Sequence, residues 1–289
     1  MAALSSLNPK SFLAMAQSTD KPDVVKVTNG EPVDLVTNAI RALGGMAQFI
    51  SKGDRVVVKP NISWDRRPEQ AATTNPAVVA EVVKLCLEAG AKDVVIFDNT
   101  LNEPRRCYKR SGIQKEAEEA GADVQHVYDR KFKIIKFSEG ELIKSWEVYD
   151  EVLEADKLIN LPVAKHHSIS GVSLGMKNLM GLIGGNRGRF HRNFNEKITD
   201  LNAQIRPVLT ILDAYRMLLR NGPSGGNIAD VATRKTLIAG TDPVAVDAMG
   251  ASLFNLNPQD LKFLNLAQDR GLGKIEISPS RIKKIDLMS

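Results

Sequence analysis

Short runs of aliphatic and β-branched residues alternate along this chain with longer segments in which apolar residues recur at helical spacing. The alternation predicts strands at residues 24–27, 55–58, 93–97, 157–160, 208–212 and 236–239, and helices at residues 33–49, 76–89, 114–120 and 242–254. Strands separated by helices pair in parallel through right-handed crossovers. We therefore expect an α/β fold with a mixed, mainly parallel sheet covered by helices.

The middle of the chain has a different pattern. Further strands are predicted at residues 124–127, 134–137 and 143–148, and Ser138-Glu139-Gly140-Glu141 has the composition of a tight turn between the last two. The fold is thus expected to include an antiparallel hairpin portion. Asn75 followed by Pro76 marks a helix start, with the asparagine as the cap and the proline at the first helical position.

The composition is that of an ordinary globular protein. The 289 residues, 43% hydrophobic and 25% charged, allow one α/β domain over residues 23–289, with two lobes as an alternative. No apolar run approaches the length needed to span a bilayer. Residues 1–22 form a tail in which Ala14-x-Ala16 resembles the end of an export signal, so a periplasmic location is favoured slightly over a cytoplasmic one. A disordered or helical tail is the alternative.

Charge and cysteine usage narrow the range of partners. The net charge of +5 favours anionic ligands, but the charges are interspersed and aromatic residues make up only 5%, so we do not expect nucleic-acid binding. Cys86 and Cys107 lack any paired spacing, and the chain therefore cannot build an iron–sulfur cluster from cysteine.

Polar side chains follow the predicted strands repeatedly. Ligands of open parallel sheets bind beyond the carboxyl ends of the strands, so these side chains are expected to meet in one cleft. As isolated residues, each is better explained by a helix cap or a turn, and it is their repetition at four strand ends that favours a site. The strand-end candidates are Lys59, Asn61, Asp98, Asn99, Lys165, His166, His167 and Asp213.

The two histidines among these candidates could have any of several roles. The chain after Pro162 is predicted to be a loop, in which His166 and His167 could bind a metal, shuttle protons, or simply be exposed. Lys177 and Asn178 follow in a glycine-rich segment that lets backbone N–H groups approach an anion, and the lysine could also form a covalent bond.

Later segments supply further candidates. Residues 184–192, which include His191, are either a basic lid over an anionic substrate or a solvated loop. Asn221, Gly225 and Gly226 belong to a turn-rich loop that is either an anion nest or an ordinary connection. Asp247 lies in an apolar stretch, where a carboxylate needs a buried partner such as a lysine.

Taken together, these segments resemble the domain-of-unknown-function family 362. The resemblance extends from about residue 24 to the end of the chain, and it implies a bacterial or archaeal protein of unassigned activity. Relatives often carry a twin-arginine export signal, which agrees with Ala14-x-Ala16, and an added ferredoxin-like iron–sulfur module, for which this chain lacks the cysteines; a redox partner is one of the partners considered. The resembling segments are Lys59-Pro60-Asn61, Asp98-Asn99, Lys165-His166-His167, residues 176–181, residues 221–226 and residues 240–247.

A second, local resemblance concerns residues 167–177, which are similar to a stretch of the nickel-pincer lactate racemase family. The family pattern is a histidine followed by Gly-x-Ser-x-Gly-x-Lys, in which the lysine holds a pyridinium-derived nickel cofactor. By this match Lys177 would carry the cofactor and His167 would be the upstream histidine. His191 lies near a downstream nickel ligand of the family, although at a different spacing.

Three functional hypotheses follow. The first is an enzyme that binds a small anionic metabolite or cofactor in a strand-end cleft and uses lysine, histidine and aspartate chemistry, with or without a divalent metal. The second is a racemase-like or isomerase-like protein that depends on a nickel-pincer cofactor. The third is a non-catalytic exported module that binds a ligand or a redox partner.

Overall fold

Strands and helices alternate along residues 21–288, which the computed structural model describes. The strands are β1 (Val24–Thr28), β2 (Arg55–Pro60), β3 (Asp93–Ile96), β4 (Asp123–Val124), β5 (Phe132–Lys136), β6 (Ser145–Tyr149), β7 (Lys157–Leu161), β8 (Val163–His167), β9 (Gly171–Ser173), β10 (Leu209–Leu218), β11 (Val231–Gly240) and β12 (Ile282–Asp286). The helices are α1 (Pro32–Ala42), α2 (Pro76–Glu88), α3 (Pro104–Arg110), α4 (Ile113–Glu119), α5 (Asp150–Glu154), α6 (Gly175–Asn178), α7 (Arg187–Phe190), α8 (Phe194–Gln204), α9 (Pro243–Ser252) and α10 (Lys262–Asp269).

The main sheet is mixed and mainly parallel. Its strand order is β12-β1-β11-β10-β7-β2-β3-β4, and β8 pairs with both β10 and β9. The run from β10 through β7 and β2 to β4 is parallel, whereas β11 is antiparallel to β1 and β10, and β9 is antiparallel to β8. A separate antiparallel pair joins β5 to β6. The predicted fold class, including its hairpin portion, is confirmed.

Alternation along the central strands divides the core between the two faces of the sheet. On β2, Val56 and Val58 pack with α1, α2 and α4, while Val57 faces the layer that holds α8 and α10. Each buried aliphatic side chain contributes about 1.5–3 kcal/mol. Both faces are therefore covered, which leaves the strand ends as the place where polar groups can gather.

Individual residues in the sequence explain where two of the helices begin or end. Asn75 caps α2 by accepting a hydrogen bond from the Ala77 N–H at 3.1 Å, as the sequence predicts. The helix predicted over residues 33–49 ends at Ala42 because Gly44 and Gly45 adopt φ values of +99° and +88°, which favour glycine.

The loop predicted after Pro162 is a strand, β8. Proline lacks an N–H, but its carbonyl accepts a hydrogen bond from the Asp213 N–H at 2.9 Å, which keeps the chain on the sheet. Helix α8 was not predicted, because its buried face includes Thr199, Asp200 and Asn202, which interrupt the apolar stripe.

The tail interpretation of residues 1–22 rests on Ala14-x-Ala16, which lies outside the described residues. Within residues 21–288, no helix combines the length and apolarity required to cross a bilayer.

Candidate functional site

Neighbouring parallel strands bring the candidate lysines and asparagines together. Lys59 lies at the end of β2, with Asn61 just beyond it, and Asp98 lies just beyond the end of β3. Lys165 comes from β8 and Asn178 from the end of α6. These five residues, all buried, are called the strand-end cluster below.

Asn178 is the centre of the strand-end cluster. Its Oδ1 accepts hydrogen bonds from Lys59 Nζ and from Asn61 Nδ2, both at 3.0 Å. Its Nδ2 donates to the Lys59 carbonyl at 3.0 Å and to Asn160 Oδ1 at 2.9 Å. An asparagine side chain satisfied on both ends in this way fixes the relative positions of β2, β7 and α6.

Lys59 and Asp98 form a buried ion pair. Lys59 Nζ lies 2.9 Å from Asp98 Oδ1, and both side chains are almost fully buried. Burial lowers the pKa of the Lys59 amino group, and the Asp98 carboxylate opposes that effect. The other oxygen of Asp98 accepts from the Ile62 N–H at 2.6 Å and from Ser63 Oγ at 3.1 Å.

Gly181 covers this ion pair closely. A Cβ at that position would lie 1.9 Å from Asp98 Oδ1 and 2.6 Å from Lys59 Nζ. Because such contacts are impossible without movement, only glycine lets the backbone approach the pair.

Lys165 is the second buried amine of the strand-end cluster. Its Nζ donates to Asn61 Oδ1 at 3.0 Å and to the Ala72 carbonyl at 2.6 Å, and its exposure is 1%. Neither partner is charged. Burial, with smaller contributions from Lys177 and Lys59, lowers the pKa of the Lys165 amino group to about 7, although Asp98 favours the charged form.

A second group adjoins the first. Lys177 Nζ lies 3.3 Å from His191 Nε2, 3.5 Å from Met180 Sδ and 5.0 Å above the ring of Phe194. Burial, reinforced by Arg187, lowers the pKa of the Lys177 amino group to about 8. The imidazole rings of His167 and His191 stack with centroids 5.9 Å apart. Lys177, His191 and His167 are called the lysine–histidine group.

The hydrogen bonds of the two imidazoles define their tautomers. His191 Nδ1 lies 3.3 Å from the Arg187 carbonyl, so it carries the proton, and Nε2 is left to accept from Lys177. His167 Nδ1 accepts from the Ile169 and Ser170 N–H groups, so its proton is on Nε2. Burial, with Lys177 next, lowers the pKa of His167 to about 3 and also lowers that of His191. His167 is therefore a neutral donor near neutral pH.

Residues 184–192 supply Arg187 and His191 to the site. The Arg187 guanidinium donates to the carbonyls of Asn99 and Thr100 at 2.6 and 2.9 Å. Asn99 in turn donates to the Ile183 carbonyl at 2.9 Å. Arg187 and Asn99 also line a cavity of about 460 Å³ beside the site. The basic segment thus packs against the loop after β3.

Two of the predicted aspartates accept hydrogen bonds from backbone N–H groups and do not contact the lysine amines. Asp247 on α9 accepts from the Gly175 and Met176 N–H groups at 2.7 and 2.9 Å, and burial raises its pKa to about 7. It thereby positions the start of α6. Asp213 lies within β10, not after it, and accepts from the Asn75 and Tyr215 N–H groups; burial raises its pKa to about 6.

The loop at residues 221–226 lies on the other face of β8. His166, which points away from Lys165 and His167, accepts from the Gly222 N–H at 3.1 Å. The Gly225 and Gly226 carbonyls accept from Arg66 and Gln70. Asn221 donates to Asp230 Oδ2 at 2.7 Å.

Sequence reasoning missed Asn160 and Arg187 as individual site residues. Asn160 on β7 accepts a hydrogen bond from Asn178 and donates one to the Gly175 carbonyl. In the sequence, a single asparagine at the end of an aliphatic run looks the same as an ordinary turn residue, so it was not predicted as a site residue. The dense basic segment around Arg187 did indicate that an arginine could contact an anion. The sequence did not show which of its arginines would reach the site.

Metal ligands are sparse in this region. Across residues 21–288, no group of three or more histidine, cysteine, aspartate or glutamate side chains could hold a metal ion. His167 and His191 alone form the predicted metal pair, and one nitrogen of each already has a backbone partner.

Fold and site together define a mixed α/β protein with buried lysines at the strand ends. The chain belongs to the family described as "Domain of unknown function (DUF362)", whose model matches residues 56–252. The predicted family is confirmed.

Two comparisons with individual proteins accompany this match. The chain is 27% identical over 241 residues to "Thylakoid-associated protein sll1697" from Synechocystis sp., covering 81% of this chain and 73% of that protein. The lactate racemase apoprotein from Thermoanaerobacterium thermosaccharolyticum is similar in structure, with a TM-score of 0.49 and 14% identity. That match covers 84% of this chain, which spans only 60% of the racemase chain.

Proposed function

We propose that this protein is an enzyme that binds a small anionic metabolite or cofactor at the strand ends and acts on it through lysine and histidine side chains. The observation that carries the proposal is the burial of Lys165 and Lys177 without a carboxylate bonded to either amine, with Lys177 close enough for its charge to lower the pKa of Lys165. Isolated buried amines are costly, and they are retained where a ligand or a reaction uses them.

The lysine–histidine group supports acid–base chemistry. With its pKa lowered to about 8, part of the Lys177 population is uncharged near neutral pH and can accept a proton. His191 Nε2, 3.3 Å away, can exchange that proton with Lys177. His167 is suited to a different role, because its Nε2–H can only donate a hydrogen bond to a bound oxygen.

A screen of small carboxylates and phosphates by thermal unfolding, followed by turnover assays of each hit, tests the proposal. A ligand at about 100 times its Kd stabilises the protein by ~2.7 kcal/mol, which is a rise in Tm of roughly 4–5 °C for a chain of this size. Lys177→Met removes an amine whose charged form is disfavoured by burial, so its unliganded Tm near neutral pH should be no lower than that of the wild type, and the ligand-induced rise should be lost.

The matched control is Lys115→Met, because the Lys115 side chain is 74% exposed on α4. It should retain the full response. If no anion stabilises the wild type, or if the Lys177 variant responds equally, the proposal is wrong. Stabilisation without turnover of any hit would support the non-catalytic binding module instead.

The nickel-pincer alternative is favoured by one observation, the placement of two imidazoles beside Lys177. An amine with a lowered pKa fits covalent attachment, so Lys177 would carry the cofactor and His167 or His191 would supply an imidazole ligand. Racemisation of a small 2-hydroxy acid is the chemistry that such a group supplies when bound. The described residues do not offer a three-residue metal site, so the other ligands would have to come from the cofactor.

Intact mass spectrometry and metal analysis test this alternative. Protein purified from a host that makes the cofactor should carry an added mass on Lys177 and about one nickel per chain. An unmodified Lys177 without nickel rules the alternative out.

A further inference from the structure

The charges around the site are unevenly matched. Lys59, Lys165, Lys177 and Arg187 are four cationic groups, and each is buried or half-buried. Among the described residues, Asp98 is the one carboxylate that pairs with any of these groups or shifts their pKa values, while Asp129 and Glu147 line the cavity beside Arg187. With all four protonated, three positive charges are left without a carboxylate.

The other groups in contact with these cations do not neutralise the excess positive charge. Lys165 has only neutral oxygen partners, Lys177 has an imidazole and a thioether, and Arg187 has two carbonyls. The facing side chain on β8, His167, is neutral or positive and so cannot compensate them.

We infer that the site takes a compact dianion of the phosphate-monoester type in preference to a monoanion. The inference rests on the proposed function, because it assumes that the strand-end cluster and the lysine–histidine group form the ligand site. A dianion neutralises two of the three excess charges, whereas a monocarboxylate leaves two of them buried and unpaired.

Proton uptake is a consequence of this preference. In the free protein, burial lowers the pKa of Lys165 to about 7 and that of Lys177 to about 8. A bound dianion stabilises the ammonium forms, so these amines take up protons as the ligand binds. The groups that face them are Lys59, Asp98 and Arg187, together with the imidazoles of His167 and His191.

Methyl phosphate and dimethyl phosphate are suitable probes, because they share a tetrahedral phosphorus centre and differ by one charge and one methyl group. At about pH 7.5 the monoester is largely dianionic, since its second pKa is about 6. Titration calorimetry at matched ionic strength should show methyl phosphate binding at least about tenfold tighter than the diester. Repeating it in two buffers of different ionisation enthalpy should show net proton uptake with the monoester.

Variants separate the site from general surface charge. Lys165→Met should reduce both the preference for the monoester and the proton uptake, whereas Lys115→Met should leave both unchanged. Equal affinities, or tighter binding of dimethyl phosphate, would overturn the dianion inference and leave the anion site standing. Failure of both probes to bind would contradict the inference and the proposed function together.

Discussion

Replacing Asp98 with asparagine removes the carboxylate that lies 2.9 Å from Lys59 Nζ. The new amide must still accept the Ile62 N–H at 2.6 Å with its oxygen, so its NH₂ group turns towards the ammonium. Two donors then face each other where an ion pair stood. Breaking a buried pair by removing one partner costs about 3–5 kcal/mol, and we expect Asp98→Asn to lose this much.

Urea unfolding at about 25 °C measures the loss, provided that the m-value is unchanged. A double-mutant cycle with Lys59→Met isolates the pair, because the second change removes the stranded charge. The double variant should be more stable than Asp98→Asn alone, with a coupling energy of about 1.5–3 kcal/mol.

The loss should also depend on pH in a defined direction. Without Asp98, the pKa of Lys59 falls further below its unfolded value, so the unfolded chain binds more protons and stability rises with pH. The deficit of Asp98→Asn should therefore be larger near pH 6 than near pH 9. A deficit below about 1 kcal/mol at both pH values would refute the buried ion pair.

Three further predictions concern neighbouring groups. Because the pKa of Lys177 is lowered to about 8, unfolding free energy should rise between about pH 8 and pH 10, and Lys177→Met should flatten that rise in urea titrations. Asp247→Asn leaves one of two backbone N–H donors unpaired and should cost about 1–3 kcal/mol by the same method. The cost should grow towards about pH 5, because a folded-state pKa raised to about 7 makes the wild type more stable as the pH falls, whereas asparagine does not titrate. Gly181→Ala should cost about 1–3 kcal/mol, because its Cβ would displace Asp98 or Lys59; a Tm equal to that of the wild type would contradict the close approach.

The layout of the central strands was predictable because it depends on local periodicity. The aliphatic runs of β2, β3 and β7 mark buried parallel strands, and the strand-end rule then anticipates that Lys59, Asn61 and Asp98 meet. Asn75 before Pro76 identified the start of α2 for an equally local reason.

Other features depend on distant contacts and had no local signal. The continuation into β8 depends on a hydrogen bond between Pro162 and Asp213, which are far apart in the chain. Asp213 was expected at a strand end because nothing local shows that β10 continues to Leu218. The bonds that Asn160 makes with Asn178 likewise follow only from the packing of α6 against β7.

The central claim is that lysines from separate elements form one anion-binding site. Crystals soaked in selenate, a dianion with an anomalous signal, test it most directly. The account predicts an anomalous peak roughly 4 Å from the amino group of Lys165 or Lys177, or from the Arg187 guanidinium, because selenium lies behind an oxygen that is itself about 3 Å from the donor nitrogen. Peaks confined to exposed surface residues, with these three groups unchanged, would contradict it.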